Sequence, residues 1–165
     1  MAVMKAAFAY ASALFCVVTA LSTLCGYAQA ETFKDKGGQA YYLPVTPPED
    51  TKQPDGSILR RVSFVGIIVG DLPFPFDYGK HHCTGTTQIS ADGKPGRGHG
   101  YCEVWSTKGD RASFTYVGEG GAGEFSYFDG SGAYAGIKGG GTYKTKVVLP
   151  TGGFVNEWVG TWQTN

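Results

Sequence analysis

The segment FSYFDGSGAYAGIKGGGTY, residues 125–143, places Gly130, Gly132, Gly136, Gly139, Gly140 and Gly141 among the aromatic residues Phe125, Tyr127, Phe128, Tyr134 and Tyr143. A chain that leaves one strand, crosses a rim and enters the next must bend sharply and pack its backbone closely. Glycine allows both, through positive φ and the absence of Cβ. Beyond the glycines, Tyr143, Thr145, Val147 and Leu149 alternate with Lys144 and Lys146, the period of a strand with one buried and one wet face. The stretch reads as strand, glycine-rich crossing, strand.

Working outward, the same grammar repeats. Runs rich in β-branched and aromatic residues at 58–69, 83–90, 100–107, 112–117, 124–128, 142–149 and 154–163 are predicted as strands. Asp92-Gly93, Gly109-Asp110, Asp129-Gly130 and Pro150-Thr151-Gly152-Gly153 supply turn signals between them. Glycine accounts for 26 of 165 residues, about twice its usual share of roughly 7%. No helical spacing of apolar residues is sustained after residue 30. The fold is therefore all-β, a sandwich or a small antiparallel barrel of about seven to eight strands, the latter removing exposed edges by closure.

The N-terminus has different grammar. A basic start ending at Lys5, an apolar run over 6–24 and Ala28-Gln29-Ala30 before Glu31 read as a cleavable secretory signal over residues 1–30. An uncleaved anchor is the alternative, since the run approaches the roughly 20 residues that span a bilayer. Ser12, Thr19, Ser22 and Thr23 interrupt it. A secreted or periplasmic protein is expected, with no membrane association after cleavage. Residues 31–57, mixed in charge and proline, read as a largely extended or disordered arm, and 58–165 as the folded domain. The loop 71–77 alternates prolines with Phe74 and Phe76, which would cap an open end of the core or form a lip around a mouth.

Balanced charge, 14 basic against 14 acidic residues, gives no field that would gather nucleic acid or an anionic membrane surface. The glycines of 118–123 and Gly130-Ser131-Gly132 superficially resemble phosphate loops. Strands follow them where a helix N-terminus is needed, so no nucleotide cofactor is expected. Ser131 lacks the strand-to-helix elbow of a hydrolase nucleophile.

Cys16 and Cys25 leave with the signal, and Cys83 and Cys102 remain. In an oxidising compartment a disulfide is the default. The nearby His81, His82 and His99 leave a zinc site as the alternative. If Cys83 pairs directly across from Cys102, His82 faces Glu103, His81 turns to the cysteine face and His99 to the other. Four metal ligands then fail to converge, and no metal is expected.

Aromatic and polar residues recur at alternate positions: Tyr101, Glu103 and Trp105, then Phe114 and Tyr116, Phe125 and Tyr127, Trp158 and Trp162. They fill a core, or they line a cavity for an apolar or aromatic small molecule. Under the second reading Arg61, Trp105, Tyr116, Tyr127 and Trp158 would bind the ligand. Glu103 and Tyr101 would be the catalytic candidates, because a carboxylate in an apolar pocket has a raised pKa and suits acid–base work. Arg61, His82 or His99 would partner Glu103, which as a wet outer-face residue would have no such role.

Segment 125–143 also resembles the glycine motif of the allene oxide cyclase and dirigent-like β-barrels, including their bacterial relatives. There an F-x-G-G-T-G-like turn continues as K-Y-A-G-I-T-G-x-G-x-Y. Gly130, Gly132, Tyr134, Ala135, Gly136, Ile137, Gly139, Gly141 and Tyr143 match, and Lys138 replaces the usual small hydroxyl residue. The resemblance implies a calycin-like barrel with a hydrophobic substrate inside it, cyclised or coupled there, and by analogy a homodimer or homotrimer. Three functions follow as expectations: a carrier of a small hydrophobic molecule, an isomerase or cyclase of allene oxide cyclase type, or a non-catalytic structural and interaction module.

Overall fold

A computed structural model describes residues 31–70 and 78–165. The chain forms β1 (Glu31–Pro44), β2 (Glu49–Lys52), β3 (Ile58–Gly70), β4 (Lys80–Ile89), β5 (Pro95–Trp105), β6 (Arg111–Glu119), β7 (Ala122–Ser131), β8 (Lys138–Val148) and β9 (Phe154–Thr164), with one 3-10 turn at Gly132–Tyr134. All pairings are antiparallel, in the order β1-β9-β8-β7-β6-β5-β4-β3, and β1 pairs with β3 to close the ring. Eight strands make the barrel. β2 continues the line of β1 along β3, from the Pro44–Phe64 pair to the Glu49–Arg61 pair. All seven expected strands are present.

Among the described residues the barrel starts at Glu31, not at residue 58. The segment expected as an arm contains β1, which runs from Glu31↔Thr164 to Tyr42↔Phe154 along β9 and from Gly38↔Gly70 to Pro44↔Phe64 along β3. Its sequence hides this. Lys34, Asp35, Lys36, Gly37 and Gly38 interrupt the alternation, and the register shifts between Phe33 and Lys36, where Asp35 takes φ of 49°. A bulge carries the extra residue and lets a polar, glycine-containing stretch bridge both edges.

Two further readings change. Asp129-Gly130 lies inside β7, and the β6–β7 reversal uses Gly120 and Gly121, both at positive φ. A shift between Thr145 and Val147 breaks the alternation expected for 142–149, so Val148 rather than Val147 follows Tyr143 and Thr145 toward the interior. The expected signal at 1–30 and the Phe74/Phe76 loop lie outside the described residues.

The two ends of the barrel differ. At one, the glycine-rich crossing from β7 to β8 buries Tyr134 and Ile137 against Phe33, Val104, Ala112 and Trp162. The Asn165 amide donates to the Ala135 carbonyl, tying the C-terminus across this floor. Gly132 and Gly136 take φ of 62° and 69° there, the left-handed conformation that the crossing needs. The opposite end carries the β4–β5, β6–β7 and β8–β9 hairpins and leaves the interior open.

Candidate ligand cavity

Above the packed floor lies a cavity of about 570 Å³, bounded at its mouth by Thr87, Pro95, Glu119, Gly121 and Val148. The room exists because inward aromatic side chains lie over glycines of neighbouring strands. A Cβ on Gly100 would stand 2.6 Å from Tyr116 Cζ, one on Gly123 2.7 Å from Tyr143 Oη, and one on Gly160 3.0 Å from Phe125 Cζ. Rings are thereby laid against the wall instead of projecting to the barrel axis. Tyr116 pairs in register with Gly100, and Tyr143 with Gly123. The glycines of the wall thus open the interior as well as permit turns.

On β1, β3, β4 and β9 the wall is a stack. His81 and Tyr42 lie with ring centroids 4.4 Å apart and planes 14° from parallel, Tyr42 and Phe154 at 4.6 Å and 18°. Phe64 meets Phe154 edge-on at 4.9 Å. On the opposite side Phe114, Phe125, Tyr127 and Trp158 form an edge-to-face chain. Such rings supply broad apolar area with fixed geometry.

The cavity is electrically neutral. Burial pushes the His81 imidazole down to about 4, against the smaller opposing pull of a hydrogen bond with the Tyr41 backbone. Burial pushes the Tyr116 phenol up to about 12 and raises Tyr42, Tyr127 and Tyr143 as well; Tyr42 is raised further by Tyr116, Tyr143 and Tyr127. Uncharged forms of all these groups prevail at neutral pH. Among the described residues lining the cavity, Glu119 at the mouth is the charged one.

Three of the expected ligand-binding residues, Tyr116, Tyr127 and Trp158, line this space together. Trp105 and Arg61 do not: Trp105 shares the outer face of β5, and Arg61 is exposed 3.5 Å from Glu49. Tyr101 and Glu103 also lie outside, since Cys102 and Val104 take the inward positions of β5. Arg111 bonds Glu103 at 2.9 Å and Asp129 at 2.6 Å. The Tyr101 hydroxyl and then Arg111 hold the Glu103 carboxyl below its ordinary range, the reverse of the raised pKa expected for an acid in an apolar pocket. Arg111, not Arg61, His82 or His99, is its bonded partner.

Cys83 and Cys102 form a disulfide between directly paired residues and sit in the cavity wall. Both sulfurs are used, which overturns the zinc alternative. His82 bonds Ser63 at 2.9 Å and His99 bonds Thr86 at 3.3 Å, both away from the cysteine face.

Sequence reasoning missed Tyr42, Phe64, His81, Tyr143, Phe154 and Asn156. One usable clue was present: Gly96, Gly98, Gly100 and Cys102 share a face of β5, and a buried disulfide marks that face as inward. Its other face, with Tyr101, Glu103 and Trp105, then follows as outward.

No family model matches the chain, and no curated protein matches it. Among solved structures it is similar to the pterocarpan synthase dirigent protein GePTS1, with a TM-score of 0.52 at 12% identity over 86% of this chain and 92% of that one. It is also similar to the pterocarpan synthase dirigent protein PsPTS1, with a TM-score of 0.50 at 12% identity over 83% and 96%. At this identity the likeness is one of fold, a dirigent-like barrel.

Proposed function

We propose that this dirigent-like barrel is an exported protein whose interior binds one small, uncharged, hydrophobic or aromatic molecule through the hairpin end. One observation carries the reading: a cavity of about 570 Å³, within the size range of small-molecule sites, walled by aromatic rings and free of ionised groups below its mouth. A solid core would have supported a purely structural module. The buried disulfide suits an oxidising compartment, and the expected signal over 1–30 would deliver the chain there.

The test is titration of the mature chain, residues 31–165, with the neutral dye N-phenyl-1-naphthylamine, which fluoresces in apolar surroundings. Saturable enhancement at one dye per barrel is expected. Absence of enhancement would overturn the reading.

A cyclase or isomerase is the second reading, favoured by the synthase activity named for the structural neighbours. With Glu103 and Tyr101 on the outer wall, proton transfer in the cavity would fall to its phenols or to His81. Conversion of a bound molecule, followed by chiral chromatography, separates catalyst from carrier. Self-association is a further expectation; the exposed pairs Tyr41–Ile67 and Leu43–Val65 would contribute apolar area to it.

A further inference from the structure

The disulfide occupies one layer of the cavity wall. Strand register sets Phe64 beside Cys83 and Phe114 beside Cys102, and all four residues line the cavity. The two cysteines are 3% and 2% exposed, so the outer face of β4 and β5 gives no access to their sulfurs. Toward the floor the next inward positions are His81, Val104 and Ala112, all buried. Toward the mouth the next pair is Gly85 and Gly100, which place no side chain in the way, and the Tyr116 phenol lies against both. Among the described residues the bridge is therefore approached from the cavity, and the cavity from its mouth.

We infer that the Cys83–Cys102 bridge is a thiol-exchange site reached through the ligand cavity, open to small uncharged thiols and shielded by whatever molecule the cavity holds. In the exchange an entering thiol bonds through its sulfur to one cysteine as the Cys83–Cys102 bond breaks. The electron pair of the broken bond stays on the other cysteine sulfur, which takes up the proton that the thiol gives. The products are a mixed disulfide and one free cysteine thiol, with no further oxidant or reductant. A thiol bearing a fixed anionic group would lose its hydration in a space without a cation to offset the loss, after passing Glu119 at the mouth. A ligand lying between Phe64 and Phe114 covers both sulfurs, so occupancy sets how fast the bridge exchanges.

The test treats protein spanning residues 31–165, native and unfolded in urea, with 2-mercaptoethanol and with 2-mercaptoethanesulfonate, thiols of one length that differ by an anionic group. Iodoacetamide caps each freed cysteine, and mass spectrometry counts caps and thiol adducts. The native rate with 2-mercaptoethanol should rise in proportion to its concentration. With each native rate divided by the same thiol's rate on the unfolded chain, the sulfonate should be slower by at least about tenfold. Saturating N-phenyl-1-naphthylamine should slow 2-mercaptoethanol severalfold. Native rates that ignore thiol concentration, or that are equal for the two thiols after this division, overturn the site, because the bridge then reacts by unfolding or from bulk solvent. A native protein inert to 2-mercaptoethanol overturns it too, as does an unchanged rate with the dye bound at one per barrel. The dye arm rests on the binding function proposed above. A barrel that binds no dye yet distinguishes the two thiols refutes that function and keeps the exchange site.

Discussion

Tyr116 lies flat across Gly100, its Cζ 2.6 Å from where a Cβ on that glycine would stand, and this contact gives the cavity its width there. Every atom added at position 100 pushes the phenol into the cavity or against β4. Gly100→Ala is expected to destabilise the fold by about 1–3 kcal/mol, the range for overpacking, and to weaken binding of the neutral dye. Chemical denaturation and dye titration of the variant measure the two effects.

His81 makes stability depend on pH in one direction. Its folded-state pKa of about 4 lies below the ordinary 6.5, so the unfolded chain binds the proton first as pH falls. Stability is full above about pH 6.5 and is lost progressively between there and pH 4, by up to the order of 3 kcal/mol. Urea melts at pH 7 and pH 4.5 should show the loss in the native protein. His81→Gln, which cannot titrate, should remove most of the difference, whatever its stability at neutral pH.

The Cys83–Cys102 bridge spans a sequence separation of 19, and a closed loop of that length contributes about 3 kcal/mol in the chain-entropy model. Thiol titration of denatured protein spanning residues 31–165 should find free thiols after reduction and none before. Cys83→Ser/Cys102→Ser is expected to melt well below the native protein; an unchanged midpoint would contradict the assignment.

Glu103 and Arg111 form their ion pair on the outer wall, with side chains 24% and 34% exposed. Glu103→Gln should leave affinity for the neutral dye unchanged and alter stability by less than about 1 kcal/mol. A loss of binding in this variant would return Glu103 to the site.

β1 pairs on both sides, with β9 and with β3, so its removal opens the barrel and exposes two edges. A chain beginning at residue 45 is expected to lose the cooperative unfolding transition and to aggregate. Had 31–57 been a loose arm, the same truncation would be silent by circular dichroism and thermal melting.

The strands after residue 58 and their turns were legible from local chemistry. Alternation, β-branched and aromatic runs, and glycines at reversals act over a few residues, and the expected crossing at 125–143 is where the structure puts it. β1 was not legible: its bulge and its Lys-Asp-Lys-Gly-Gly stretch disguise a strand whose stability comes from two neighbours distant in sequence. Four of the seven expected catalytic and ligand-binding residues lie outside the cavity, three of them for a related reason. Tyr116, Tyr127 and Trp158 face inward, while Tyr101, Glu103 and Trp105 sit one residue out of phase with Cys102.

By itself the sequence determined an antiparallel all-β chain, the two cysteines after residue 30 that could form a bridge, and enough glycine to let rings lie against a wall. Tertiary structure alone decided which face of each strand is the interior, that Glu31–Pro44 closes the ring, and that space remains above the floor. The physical reason is the two-residue period of a strand. A single slip or bulge exchanges inside for outside, and the closed register of eight strands fixes that phase everywhere at once.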